Sequence, residues 1–153
     1  MKNLFTLLLL SIFLFSCQQK KDNTISITPA TPIVKEKKKE ENKQIGDTIF
    51  MNFKNEKNIF IADGSLDSLN SKVYIKFKNE NLSELKAEIL PATGKGNIRF
   101  NQILFPDKTS DGPFGMDLKM PLKQKGTYIL VIGHSLMADN PYYGKFNVQL
   151  EIK

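Results

Sequence analysis

The sequence predicts an all-β fold, a single antiparallel β-sandwich of about eight short strands, preceded by a signal-like segment and a disordered linker. Three observations carry this. After residue 45, apolar residues recur at every second position in segment after segment, the period of a strand with one face in a core and one in water. Turn residues punctuate the chain roughly every 8–12 residues. Little of the chain reads as helix.

Met1–Ser16 carries a lysine near its start and then the apolar run LFTLLLLSIFLF. The run is too short for a membrane span, which needs about 20 residues, and has the layout of a secretory signal. It ends in Leu14-Phe15-Ser16-Cys17, which resembles the lipobox of bacterial lipoproteins. Phe15 is bulkier than usual at its position, and Ser16 is acceptable at the cleavage site. The resemblance implies that Cys17 is acylated and becomes the first residue of a lipid-anchored envelope protein. Gln18 replaces the aspartate that retains lipoproteins in the inner membrane of enteric bacteria, which points to the outer membrane. An ordinary signal with an incidental cysteine is the alternative. Cys17 is the only cysteine. Once it is acylated no thiol remains for a disulfide, a metal or a nucleophile.

Cys17–Gln44 reads as a flexible linker. It passes through QQKKDNT and ISITPATPIV to KEKKKEENKQ, with seven lysines against four acids between Gln18 and Gln44. So much charge leaves too little apolar surface to offset the entropy of ordering the chain. Its lysines also suit anionic lipid headgroups, at about 1 kcal/mol each near such a surface.

Residues 45–153 form the expected domain. Thr48–Phe53 and Asn58–Ala62, with KNEK between them, predict a hairpin. Asp63–Ser71 is rich in turn residues. Lys72–Lys78 alternates, with Val73, Ile75 and Phe77 on one side. Glu84–Leu90 has helical composition, but Leu85, Ala87 and Ile89 alternate and Pro91 follows, so it is read as a strand. In Asn97–Phe105 the apolar phase slips between Phe100 and Ile103, which predicts a β-bulge. Pro106–Gly115 is a long loop and Met116–Met120 a short strand stopped by Pro121. Tyr128–Ile132 is apolar in both phases, as in a strand buried on both faces. Phe146, Val148, Leu150 and Ile152 alternate with polar residues. These last two runs are expected to pair as a long antiparallel hairpin across the loop His134–Gly144.

The charge of this domain is nearly balanced. Residues 45–153 hold 14 basic and 12 acidic side chains, and Arg99 is the only arginine. A nucleic-acid surface needs clustered Lys and Arg, so no nucleic-acid partner is expected.

Catalytic constellations are lacking in the sequence. His134 is the only histidine, and Ser135 beside it would point to the opposite face of an extended strand, which disfavours a triad. No metal site is assigned. The acidic turns Asp63-x-x-x-Asp67 and Asp107-x-x-x-Asp111-Gly112 lack EF-hand spacing, and aspartate is common in turns for its own backbone bonds. No Gly-rich phosphate loop occurs and no cofactor is expected. A carboxylate-based hydrolase is a lesser alternative, but the chain has no Trp to line a sugar subsite. The chain is therefore read as a non-enzyme.

What remains is surface. The loop HSLMADNPYYG is richer in Met137, Tyr142 and Tyr143 than solvation requires. Tyrosine gives large contact area with few torsions to freeze, and methionine adapts its shape. The loop is either a contact surface or a lid folded onto the core.

Leu122–Lys153, LKQKGTYILVIGHSLMADNPYYGKFNVQLEIK, resembles the C-terminal part of the periplasmic inhibitors of g-type and i-type lysozyme, whose β-sandwich is shared with bacterial pre-peptidase C-terminal domains. The shared pattern is a turn, Gly-x-Tyr opening a buried strand, a loop, and a last alternating strand. Asn58–Phe77 extends it, with an A-x-G turn at Ala62–Gly64 and then K-V-x-I-x-F. The inhibitors carry Ser-Gly-x-Tyr on a loop that enters the lysozyme cleft. Gly126 and Tyr128 match, and Lys125 stands where the family has serine. The resemblance implies a binding surface that includes Lys125, Gly126, Thr127 and Tyr128. His134, Met137, Tyr142 and Tyr143 are the second candidate contact group. The expected function is binding of a protein (a lysozyme) or a glycan without catalysis. The alternative is an accessory subunit of an envelope complex.

Overall fold

The computed structural model describes residues 40–153, apart from 69, 70, 94, 95 and 136. The expected signal, Cys17 and most of the linker lie outside the described residues. None of the described residues is helical, so the all-β expectation holds. The described residues form ten strands: β1 Asn42–Ile45, β2 Thr48–Phe50, β3 Ile59–Leu66, β4 Val73–Asn79, β5 Ser83–Pro91, β6 Arg99–Leu104, β7 Ser110–Asp111, β8 Asp117–Leu122, β9 Gly126–Gly133 and β10 Gly144–Ile152.

They form one mixed sheet in the order β7-β6-β9-β4-β2-β1-β3-β10-β5-β8. The sheet curls back on itself at β1. Asn42 and Lys43 pair in parallel with β3, whereas Gln44 and Ile45 pair antiparallel with β2. One short strand therefore serves both halves, as at the corner of a folded sheet. The opposite side is stitched as well. Phe100 of β6 bonds the segment before β8, where Phe114 N–H donates to Phe100 O and Phe100 N–H to Gly115 O, both at 2.9 Å. One residue later Ile89 N–H of β5 donates to Met116 O at 2.8 Å. The inner faces of the two halves share one apolar core, with Ile75, Phe77, Phe100, Tyr128 and Leu130 from one half and Leu85, Ile89, Phe146, Val148 and Leu150 from the other.

This corrects the expectation of about eight antiparallel strands. The strands not anticipated, β1 (NKQI) and β7 (SD), are too short to show an alternation. β1 also lies mostly in the stretch expected to be linker. Asn42 fixes it there: its side-chain amide donates to Phe53 O at 2.7 Å and Ile61 O at 3.0 Å, and its oxygen accepts from Asn52 N–H and Phe53 N–H, both at 2.9 Å. That uses every donor and acceptor an asparagine side chain has. Because β1 is inserted between β2 and β3, the expected hairpin of 48–53 with 58–62 is reduced to the isolated bridge Lys54–Phe60.

The expected pairing of the last two strands is also corrected. β9 pairs with β4 and β6, and β10 with β3 and β5. Each lies inside its own half of the sheet, and the loop between them crosses from one half to the other. Both runs are apolar because both are interior strands, not because they face each other. The phase slip in β6 is a bulge between Phe100 and Gln102, and the segment of helical composition is the strand β5.

Candidate partner-contact site

The Lys125 turn sits between β8 and β9 at one end of the curled sheet. Tyr128 is its anchor. The ring is only 1 % exposed, stacks on Phe77 with centroids 5.5 Å apart, and meets the edge of Phe105. Its hydroxyl donates to Gln124 O at 3.0 Å and accepts from Gln124 N–H at 3.1 Å. A tyrosine at a strand start whose hydroxyl reaches back to upstream backbone is the arrangement of a tyrosine corner. Tyr128, expected at a contact surface, is thus a core residue that shapes the turn from beneath. Gly126 is needed for a second reason. Its φ is +136°, and a Cβ there would lie 2.8 Å from Pro106 Cβ, so the turn packs directly on the loop after β6.

Two polar side chains complete the brace. Asp107 accepts from Gln124 Nε2 at 2.7 Å, Thr109 Oγ1 at 2.6 Å and Thr109 N–H at 3.0 Å. The bonds from Thr109 and then Gln124 hold its carboxyl below the usual aspartate range. Asn79, which is buried, donates to Gln124 O at 3.0 Å and to Asn81 O at 2.6 Å and accepts from Ser83 Oγ at 2.8 Å. The turns 79–83, 105–109 and 122–126 are therefore one braced surface. Lys123, Lys125 and Thr127 project from it into solvent. A cleft of about 320 Å³ lined by Phe105, Met120, Lys123 and Tyr128 lies on one side. A groove of about 510 Å³ lined by Met51, Phe60, Leu82 and Ile152 lies beside the 79–83 turn.

The second candidate group is at the other end. β9 runs its whole length between the two, a rise of roughly 25 Å at about 3.3 Å per residue, so the two groups do not form one surface. The loop is partly a lid and partly a projection. Tyr142 is buried and its hydroxyl donates to Lys145 O, closing the turn into β10. His134 and Ser135 are buried too. Asn97 holds the loop in place: its N–H donates to Asn140 O and its side chain to Ser135 O, both at 2.9 Å. Met137, 96 % exposed, and Tyr143 are left facing solvent.

Neither ring nitrogen of His134 has a hydrogen-bond partner among the described residues. Among the described residues no group of three or more His, Cys, Asp or Glu is placed to hold a metal ion. The oxygens of Asp107, considered above for calcium, are taken by Thr109 and Gln124. Asn79 and Gln124 carry no signal as binding residues in the sequence. Their signal was the ordinary one of turn chemistry, which does not say which turns meet.

No family model matches the chain, and no curated protein matches it in sequence. Solved structures do match its fold. It is similar to PliG of Aeromonas hydrophila, a periplasmic inhibitor of g-type lysozyme, with TM-score 0.53 and 14 % identity over 74 % of this chain and 100 % of that one. It is similar to PliG of Salmonella Typhimurium, likewise an inhibitor of g-type lysozyme, with TM-score 0.50 and 16 % identity over 71 % of this chain and 100 % of that one. The pre-peptidase C-terminal domain of a Bacillus anthracis collagenase is more distant, with TM-score 0.40 and 15 % identity over 75 % of this chain and 98 % of that one. At these identities the likeness is one of fold.

Proposed function

We propose that the chain is a non-catalytic binding protein of the cell envelope whose ligand is a protein, in the most specific form a lysozyme. The observation that carries this reading is the braced turn. Lys123, Lys125 and Thr127 project from a backbone held by Tyr128, Asn79 and Asp107. A contact loop ordered before binding loses less entropy on association than a mobile one. Its chemistry also suits a glycosidase cleft. Such clefts hold a pair of carboxylates, and the turn presents two ammonium groups with no acidic residue between Lys123 and Thr127. Lysine in place of the inhibitors' serine is then a change of contact chemistry at a retained position. The fold shared with two lysozyme inhibitors supports the same class of ligand.

The test is inhibition of purified g-type and i-type lysozymes on cell-wall substrate by residues 40–153. We expect slowed lysis of at least one class, with Lys125→Glu about tenfold weaker or worse, the scale of a binding hot spot. Lack of inhibition of every lysozyme class contradicts the reading.

The site of action is part of the proposal. Acylation at Cys17 would hold the domain at a membrane of the envelope, the outer membrane in a Gram-negative cell. Cys17→Ser in the full chain is expected to abolish palmitate incorporation and to move the protein from the membrane fraction to the soluble one. Unchanged fractionation and labelling contradict the anchor.

A further inference from the structure

The two outer faces of the curled sheet differ chemically. On the half built from β3, β10, β5 and β8, acids and bases are interleaved. Glu84 pairs with Lys119 at 3.3 Å, and Asn147 bonds Asp63 at 2.8 Å. That face is self-compensating, as a solvated surface is. The outer face of β2, β4, β9 and β6 is not. One cross-strand row reads Phe50, Lys76, Ile129, Leu104. The next begins Thr48, Tyr74 and carries Val131 and Gln102. Arg99 flanks the rows near one end, and Lys78, paired with Glu80 at 3.1 Å, near the other. Strand residues on this face include these cations and no carboxylate. Lys76 stands 5.5 Å from the ring of Phe50, which is 44 % exposed, and Arg99 bonds only the neutral Asn101 side chain. Neither has a carboxylate partner among the described residues.

From this we infer that the outer face of β2, β4, β9 and β6 docks on the surface of an anionic phospholipid bilayer, a site that meets the ligand-binding turn only at Thr127, the cross-strand partner of Lys78. Lys76 and Arg99 carry charge complementary to such a surface and have no carboxylate partner among the described residues, and basic side chains add about 1 kcal/mol each at an anionic membrane. Phe50 and Tyr74 supply aromatic surface of the kind that sits at headgroup level. In sequence the lysine-rich run KEKKKEENK precedes the face by four residues, Gln44–Asp47. The broad face of the sheet lies against the lipid, and the ends of the strands, with the Lys125 turn at one of them, are not covered.

Residues 40–153 hold every described strand and every described member of the core, so this part tests the face without the acyl chain. The probe is vesicle co-sedimentation, with phosphatidylglycerol mixed into phosphatidylcholine against phosphatidylcholine alone, at low and high salt. We expect binding to the anionic vesicles only, weakened by salt. Lys76→Ala and Arg99→Gln should each lower the partition coefficient about fivefold, and Phe50→Ser should lower it while leaving the salt dependence in place. Lys86→Ala, on the other outer face, should leave it unchanged, and thermal unfolding of each variant checks that it folds. Equal loss with Lys86→Ala, or no binding to anionic vesicles, overturns the inference. So does a dimer in sedimentation equilibrium that Phe50→Ser dissociates, because a second copy of the chain then covers the face. None of these outcomes depends on lysozyme binding, so this inference and the proposed function fail separately.

Discussion

The Tyr128 hydroxyl closes a ring with a single residue, donating to the carbonyl of Gln124 at 3.0 Å and accepting from its N–H at 3.1 Å. Gln124 in turn reaches Asp107 and receives Asn79. The exposed lysines on either side of Gln124 are therefore held by the core through one tyrosine. Gly-x-Tyr in this chain is a device for presenting a turn, with the glycine admitting Pro106 and the tyrosine tying the backbone.

Tyr128→Phe keeps the stacking on Phe77 and removes both hydroxyl bonds. The partly buried Gln124 N–H loses its partner while Gln124 O keeps the Asn79 side chain, at a cost of about 1 kcal/mol. We expect a lower urea midpoint with an unchanged m-value, and faster amide exchange at Gln124 than in β9. Exchange that rises equally along β9 contradicts a local brace.

Asp107 gives the brace a pH dependence. Its folded pKa is depressed by Thr109 and Gln124, so its contribution is present above the unfolded value of about 3.9 and is lost as pH falls through the lower folded value. A carboxyl NMR titration should place its midpoint below that of an ordinary aspartate. Thr109→Val, which removes the largest cause, should move the midpoint up. A midpoint insensitive to residue 109 counts against the assignment.

His134 is a stability cost with no visible return. Its ring is buried with both nitrogens unpartnered among the described residues, whereas its carbonyl oxygen accepts from the Asn101 side chain at 3.3 Å and does not need the imidazole. His134→Leu is expected to stabilise the fold by about 1 kcal/mol, because a buried polar group without a partner costs about 1–3 kcal/mol. Chemical denaturation measures this, and a marked loss of stability means the ring has a partner after all.

The sequence disclosed what period and turn chemistry encode. The strand at β5 was legible against its helical composition because Leu85, Ala87 and Ile89 alternate and Pro91 ends them. The bulge was legible because Phe100 and Ile103 cannot share a face without one extra residue between phases. Pairing was not legible. β9 and β10 are adjacent in sequence and apolar, yet an interior strand of either half shows the same pattern, and nothing local says which half it joins. β1 was missed because its pairing rests on Asn42, a polar residue in a polar stretch, which becomes structural only when Phe53 and Ile61 are brought beside it. The candidate site was half legible for the same reason. Lys125 and Gly126 stood out, but the residues that hold their turn come from loops far apart in sequence.

The most direct test of a ligand-binding turn compares the two ends of β9 in one assay. Residues 40–153 are titrated against the lysozyme class they inhibit, with Lys125→Glu at one end and Met137→Ser at the other. We expect inhibition to weaken about tenfold or more with Lys125→Glu and to be unchanged with Met137→Ser. Loss of inhibition with Met137→Ser and none with Lys125→Glu contradicts the account and assigns the contact to the opposite end of the molecule.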